Sequence, residues 1–119
     1  MKIVVMKFGG TSVANIEKIK NVAEKVSDSS KNAKIVVVLS AMSGVTNQLQ
    51  SYIDQIGSNP SIETDLILTS GEQVTVGLLS MILKKKGLKS LPLLGWQVPI
   101  ITDESFEKSK ILNIDNKKI

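Results

Sequence analysis

A lysine, two glycines and two hydroxyl residues lie close together near the start of the chain, in the sequence Lys-Phe-Gly-Gly-Thr-Ser-Val of residues 7–13, here called the glycine segment. The glycines leave room for a bulky anion to approach the backbone closely. A helix that starts here would offer unpaired N–H groups, and Lys7 adds a full positive charge. This combination predicts a phosphate-binding site and therefore phosphoryl chemistry.

A second run of small and hydroxyl residues, Ser-Ala-Met-Ser-Gly-Val-Thr-Asn at residues 40–47, is here called the serine segment. Both segments follow apolar runs, residues 2–8 and 35–39, which are typical of buried strands. Ligands of parallel sheets bind beyond the carboxyl ends of the strands, so we expect both segments to face one crevice. The alternative for Gly9 and Gly10, and for the serine segment taken alone, is an ordinary turn that leads into a helix.

The periodicity of the apolar residues predicts the elements that would position these segments. Helical spacing predicts a helix from Val13, capped by Thr11 or Ser12 and ending around residues 27–30, and a second helix over residues 45–56. Two buried strands joined by a helix form a βαβ unit with a parallel sheet. The class predicted is therefore α/β.

The second half of the chain is predicted to be mostly helical. We expect a loop at residues 57–61, then a helical stretch that is interrupted at residues 69–72, resumes at residue 73 and ends before Gly87. Short strands are expected at residues 91–94, 98–101 and 110–114.

Composition narrows the possible chemistry. The 119 residues suffice for one small domain or a piece of a larger one, and they include no cysteine and no histidine. Disulfides, a thiol nucleophile and an imidazole base are therefore excluded, and a zinc site is disfavoured. A hard cation such as Mg²⁺, held mainly through phosphates, fits this composition. No protein metal ligands are expected.

The net charge of +4 is the balance of 15 basic residues, all of them lysines, against 11 acidic residues. The densest run, residues 84–86, is expected at a helix end, where cations suit the dipole; a phosphate or nucleic-acid patch is the alternative. No aromatic residue interleaves this run, which disfavours nucleic acid. The apolar run at the N-terminus is too short for the hydrophobic region of a signal sequence. No apolar run approaches membrane-spanning length. We expect a soluble, cytoplasmic protein with no membrane partner.

The motifs also disfavour two common nucleotide-binding folds, the P-loop NTPase fold and the dinucleotide-binding fold. The glycine segment lacks both the G-x-x-x-x-G-K-[ST] and the G-x-G-x-x-G spacing, and its lysine precedes the glycines. The glycine segment instead resembles the signature of aspartokinases, within the amino-acid kinase superfamily. The serine segment is similar to the second aspartokinase segment, and Thr-Ser-Gly-Glu-Gln at residues 69–73 is similar to the third.

The resemblance implies a three-layer α/β/α fold with a mainly parallel sheet, as in amino-acid and carbamate kinases. It also implies ATP-dependent, Mg²⁺-assisted phosphorylation of the β-carboxylate of L-aspartate, which leads to lysine, threonine, methionine and diaminopimelate. The implied residues divide into two groups. Those toward ATP and its phosphates are Lys7, as the catalytic residue, with Phe8, Gly9, Gly10, Ser12 and Ser40; those toward aspartate are Gly44, Thr46, Asn47 and Glu72, with Glu72 facing the ammonium group.

These roles suit the chemistry, because the substrate carboxylate attacks directly and no protein nucleophile is needed. Glu72 has an alternative role as an acid at the start of the helix from Gln73.

The resemblance further implies that residues 1–119 are the N-terminal half of an amino-acid kinase domain. The C-terminal nucleotide-binding half and the regulatory ACT domains are then absent, and the isolated chain is expected to be inactive and to self-associate or pair with that half. The chain contains no arginine, so none of its own residues can offer a guanidinium to the substrate. Two alternatives stand beside this hypothesis: a kinase for another small acid or nucleotide, such as acetylglutamate or UMP, and a non-catalytic module that binds anions or partners.

Overall fold

The computed structural model describes residues 1–57 and 59–119. A β–α–β unit is followed by two helices and then by a further pair of strands. In chain order these elements are β1 (Ile3–Phe8), α1 (Ile16–Ser30), β2 (Lys34–Leu39), α2 (Val45–Ile56), α3 (Ile62–Lys85), β3 (Ile100–Thr102) and β4 (Ile111–Ile114). Strands β1 and β2 are parallel, and β3 and β4 form an antiparallel pair. The predicted α/β class with a parallel sheet is confirmed. The predicted loop at residues 57–61 includes Ser58, which lies outside the described residues.

The parallel sheet places the ends of its two strands at one edge. The register runs from Ile3 opposite Lys34 to Phe8 opposite Leu39. The ladder continues one step further, because the Ser40 N–H donates to the Phe8 carbonyl at 3.1 Å. The glycine and serine segments therefore leave the sheet side by side, as the sequence predicts.

The core lies on one face of this sheet. Buried apolar side chains of α1 and α3 pack there against alternate residues of β1 and β2, namely Met6, Phe8, Ile35, Val37 and Leu39. The opposite face is open: Ile3 and Val5 are 58% and 65% exposed, and Val38 is 45% exposed. The described residues thus build two of the three expected layers, a sheet and the helices on one of its faces.

Helix α1 starts later than predicted. Its N-cap is Asn15, whose Oδ1 accepts from the Lys18 N–H at 2.9 Å, so the prediction of Thr11 or Ser12 as N-cap is wrong. Residues Gly10–Val13 instead form a short 3₁₀ turn. The reason is local: an asparagine carboxamide is among the best N-cap groups, and it lies immediately before Ile16.

Helix α3 is continuous, so the predicted interruption at residues 69–72 is wrong. The break was predicted from two hydroxyl residues, but both hydroxyls donate hydrogen bonds within the helix. The Thr69 hydroxyl donates to the Asp65 carbonyl at 2.9 Å, and the Ser70 hydroxyl donates to the Ile67 carbonyl at 2.7 Å. The predicted C-terminus is confirmed, with Gly87 at φ +82° after the last turn.

The 24 residues of α3 are also long and apolar enough to cross a membrane, which corrects the expectation that no run approaches that length. This is weak evidence of a membrane span, because a core helix passes the same test. Leu79 and Leu83 of α3 lie in the core cluster with α1, and Lys86, just beyond its end, forms a 2.7 Å ion pair with Glu24 of α1.

The strand predictions after α3 are partly confirmed. Residues 91–94 form no strand, because the chain folds back on itself there. The Leu94 N–H donates to Gln97 Oε1 at 2.8 Å, and the Val98 N–H donates to the Leu94 carbonyl at 3.2 Å. Strand β3 consequently begins at Ile100 rather than at residue 98. Strand β4 falls within the predicted range of residues 110–114.

Candidate functional site

The glycine and serine segments touch at the carboxyl edge of the sheet. A Cβ atom added to Gly10 would lie 3.2 Å from the Ala41 carbonyl oxygen and 3.7 Å from the backbone of Ser43. Any larger residue at position 10 would therefore press on the serine segment. Glycine at this position suits the close approach of the two backbones.

A cavity of about 350 Å³ opens where these segments meet α3. Six of the predicted site residues line it: Gly10, Ser40, Gly44, Thr46, Asn47 and Glu72. Four lining residues were not predicted as site residues, although all lie within the two segments: Thr11, Ala41, Met42 and Ser43. The sequence signal that could have found them is their position inside segments already identified.

The remaining predicted residues lie beside the cavity without lining it. Lys7 is exposed on β1, on the strand face opposite the core. The Phe8 side chain packs against the core, and its carbonyl accepts from Ser40. Space around Gly9 is open, and the exposed Ser12 donates its N–H to the Gly9 carbonyl at 3.0 Å. The roles of these four residues stay predictions.

The start of α2 leaves backbone N–H groups free of side-chain caps in the described part of the chain. Gly44 precedes this 12-residue helix in the left-handed conformation, with φ of +81°, and among the described residues no side chain caps the first turn. The first-turn N–H groups, including those of Thr46 and Asn47, have no earlier helical carbonyl to bond. The first turn carries no acidic residue, so the positive end of the helix dipole is not offset there.

Glu72 brings a negative charge to the same cavity. It lies in the interior of α3, ten residues after Ile62, so the alternative role as an acid at a helix start is wrong. Among the lining residues it is the one carboxylate. Unpaired N–H groups beside hydroxyls and a single carboxylate suit a small molecule that carries both a negative and a positive group.

Helix α3 reaches the serine segment through two residues that the sequence interpretation missed. A Cβ atom on Gly71 would lie 2.8 Å from Ala41 Cβ and 3.1 Å from Val45 Cγ1. The Thr75 hydroxyl donates to the Ser40 carbonyl at 2.8 Å. The sequence signal that could have linked these two residues is their spacing, since residues four apart on a helix lie on the same face.

The described part of the chain, residues 1–57 and 59–119, contains no cluster of three or more acidic side chains that could hold a metal ion. A smaller cavity of about 250 Å³ lies between α3 and the following loop, and its lining residues are uncharged: Gln73, Val76, Gly77, Pro92, Leu94 and Gln97. Of these two cavities, the one at the carboxyl edge has a charged lining residue and is the candidate site for a charged ligand.

Comparison with known proteins identifies clear relatives. The sequence profile described as "Amino acid kinase family" matches residues 2–119. The chain is 46% identical to an aspartokinase from Bacillus sp. (strain MGA3) and 50% identical to an aspartate kinase from Pseudomonas putida. Each alignment covers 100% of this chain and 29% of the relative. The chain thus spans under a third of the length of the relatives that it matches.

The fold has a matching crystal structure. Aspartate kinase from Synechocystis superimposes with a TM-score of 0.77 at 40% sequence identity, over 82% of this chain and 17% of that one. At this identity the likeness extends to sequence as well as to topology.

Proposed function

Because the chain belongs to the amino acid kinase family, we propose that it forms part of the active site of an aspartokinase. The reaction would transfer the γ-phosphoryl group of ATP to the β-carboxylate of L-aspartate, as the first step toward lysine, threonine, methionine and diaminopimelate. The observation that carries this proposal is the cavity in which the glycine segment, the serine segment and Glu72 meet. Its mixture of anion-binding N–H groups and one carboxylate matches the charges of the two substrates.

The glycine segment, which includes Lys7, holds the transferring phosphates in this proposal. The backbone of Gly9 and Gly10 offers N–H donors, and Lys7 offers an exposed ammonium group near the end of β1. Ser40 lies beside the nucleotide phosphates in this arrangement. Fixed donors of this kind stabilise the charge that spreads over the phosphoryl oxygens in the transition state.

The serine segment and Glu72 hold the amino acid. The first turn of α2, with Gly44, Thr46 and Asn47, receives a carboxylate of aspartate, and Glu72 faces its ammonium group. An oxygen of the β-carboxylate then attacks the γ-phosphorus, the new O–P bond forms, and ADP leaves with the former bridging oxygen. No side chain of the chain forms a covalent bond.

Mg²⁺ would accompany ATP in this reaction and offset the charge of the phosphates. The cavity lining has one carboxylate and several hydroxyls, so it offers few ligands of its own to a hard cation. The proposal therefore has the ion held mainly through the phosphates.

The chain would need the rest of a longer polypeptide for catalysis. It spans 29% of the relatives' length, and we propose that it corresponds to their N-terminal part. The open face of the parallel sheet supports pairing with a missing half, or self-association when that half is absent. A cytoplasmic location is proposed on the packing of α3 against α1, which gives this apolar helix a role in the core.

A coupled ADP-release assay with Mg·ATP and L-aspartate tests the activity. We expect little or no turnover from the 119-residue chain, and turnover from a polypeptide of the relatives' full length that is lost in Lys7→Ala. Robust turnover from the short chain that disappears in Lys7→Ala would contradict the need for a second half.

Calorimetry on the 119-residue chain tests the ligands. We expect L-aspartate and Mg·ATP to bind more tightly than inorganic phosphate. Equal binding of phosphate and Mg·ATP, with none of aspartate, would instead support a non-catalytic anion-binding module. Preference for acetylglutamate or UMP over aspartate would support a kinase of another specificity.

A further inference from the structure

We propose that Thr75 is a positioning residue that fixes the serine segment against α3, so that the first turn of α2 and Glu72 face the same cavity. This inference rests on the proposed function, because it assigns a purpose to the relative placement of two groups that would hold one substrate. Thr75 does not line the cavity itself.

The Thr75 hydroxyl joins two parts of the site that are far apart in sequence. The side chain is fully buried, at 0% exposure, and its Oγ1 lies 2.8 Å from the Ser40 carbonyl oxygen, 35 residues away. The same hydroxyl lies 3.1 Å from the Glu72 carbonyl oxygen, one turn earlier in α3. One hydroxyl is therefore shared between the end of β2 and the helical turn that carries Glu72.

The bond to Ser40 is not needed to satisfy the hydroxyl. A helical threonine can bond the carbonyl three or four residues earlier, and the Glu72 carbonyl provides that acceptor. The shorter contact nevertheless runs to Ser40. Ser40 is thereby held on both sides, with its N–H donating to Phe8 of β1 and its carbonyl accepting from α3.

Gly71 makes this geometry possible. It lies one helical turn before Thr75 on the same face of α3, where an added Cβ would lie 2.8 Å from Ala41 Cβ. The absent side chain lets the helix come within reach of the serine segment. Glu72, the next residue, is then brought to the edge of the cavity.

The test compares Thr75→Val, which keeps the shape but removes the hydroxyl, with Thr75→Ser, which keeps the hydroxyl. The matched control is Ser80→Ala, which removes another buried hydroxyl of α3, one that accepts from Ser90 Oγ at 3.0 Å away from the cavity lining. Each variant of the 119-residue chain is measured for thermal unfolding, for amide hydrogen exchange and for affinity toward L-aspartate.

Exchange is followed at three amides that report on the order of the serine segment, those of Ser40, Val45 and Gln48. We expect Thr75→Val to raise the exchange rate at these three amides about tenfold and to weaken aspartate binding about tenfold, as for the loss of one hydrogen bond. Thr75→Ser should stay within about twofold of the unmodified chain. Ser80→Ala should lower the unfolding temperature and leave both measurements unchanged.

A purely structural role for Thr75 predicts a different result. Thr75→Val would then lower the unfolding temperature while exchange at the three amides rose no more than in Ser80→Ala, and this would overturn the inference. If neither the unmodified chain nor a polypeptide of the relatives' length binds aspartate, the proposed function fails, and the exchange measurement alone decides the role of Thr75.

Discussion

At the scale of single residues, the carboxylate of Glu72 is the group that most sharply distinguishes one ligand from another. It lies among N–H and hydroxyl groups that favour anions, and it is the one acidic side chain in the cavity lining. A carboxylate in such surroundings repels anionic ligands unless it pairs with a cation. The proposed cation is the ammonium group of aspartate.

Succinate tests this pairing, because it keeps both carboxylates of aspartate and lacks the ammonium group. We expect the chain to bind L-aspartate about 10- to 100-fold more tightly than succinate, the range for a hydrogen bond between charged groups. Glu72→Gln should remove most of this preference by weakening aspartate alone. Calorimetric titration measures both affinities, and an unchanged ratio in Glu72→Gln would assign the carboxylate another role.

The two glycines inside α3 offer a matched pair of substitutions. A Cβ atom at Gly71 would collide with Ala41 and Val45, whereas one at Gly77 would meet no atom within 4 Å. We expect Gly71→Ala to lower the free energy of unfolding by about 1–3 kcal/mol through overpacking. Gly77→Ala should raise it by about 1 kcal/mol through helix propensity. Urea unfolding measures both, and equal effects would contradict the close packing of α3 on the serine segment.

At the scale of elements, the sequence predicts β1, β2, α2 and the meeting of the two segments, because these depend on local patterns. Unbroken apolar runs indicate buried strands, and parallel strands bring their carboxyl ends together. The continuity of α3 was missed because Thr69, Ser70 and Gly71 are typical of turns in isolation. Their hydroxyls bond within the helix, and Gly71 is needed for a tertiary contact that local patterns do not contain.

The difference between local patterns and tertiary contacts also explains which parts of the site could be predicted from the sequence. The sequence identifies the segments that line the cavity and six of the lining residues. The role inferred for Thr75 depends instead on a contact with Ser40 across 35 residues. A buried threonine on an apolar helix face looks like an ordinary core residue. Its partner becomes visible only when β2 and α3 are placed together.

The N-terminus of α3 gives a prediction about pH. The carboxylate of Glu63 accepts from its own backbone N–H and from the Ser61 hydroxyl, and these hydrogen bonds lower the pKa of that carboxyl from its ordinary value. Because the folded pKa is below the unfolded one, Glu63 stabilises the fold above the unfolded pKa, and this contribution is lost as the pH falls through the folded pKa.

We therefore expect Glu63→Gln to lower the unfolding temperature slightly at neutral pH and to have no effect at a pH below both values. The side chain is exposed, so added salt should reduce the difference. Thermal unfolding followed by circular dichroism measures it, with Glu104→Gln as a control outside any helix. A difference that persists in acid would point to helix propensity rather than to charge.

At the scale of the whole molecule, the chain is less compact than its length allows. Its radius of gyration is 15.7 Å, and its thinnest dimension is 17 Å. A compact domain of this length has a radius of gyration of about 13.5 Å. The difference agrees with a sheet that is covered by helices on one face and open on the other.

The open face predicts self-association of the isolated chain. Val5 and Val38 are 65% and 45% exposed there, on the two neighbouring strands of a parallel sheet. Burial of such apolar surface against a second copy is favourable. We expect the molar mass from sedimentation velocity to rise with protein concentration, and the double substitution Val5→Thr and Val38→Thr to suppress that rise. Threonine keeps the β-branched shape that suits a strand, so the unfolding temperature at low concentration should change little.

Met81→Gln is the matched control, since it removes an exposed apolar side chain from α3 and leaves the sheet untouched. If association is driven by the sheet face, Met81→Gln should associate as the unmodified chain does. Equal suppression of association by both variants would indicate nonspecific association through exposed apolar side chains. A chain that stays monomeric at every concentration would show that the open face alone does not drive association.

The same threonine pair can be introduced into a polypeptide of the relatives' length. There it should destabilise the fold, because the rest of the chain would cover this face of the sheet.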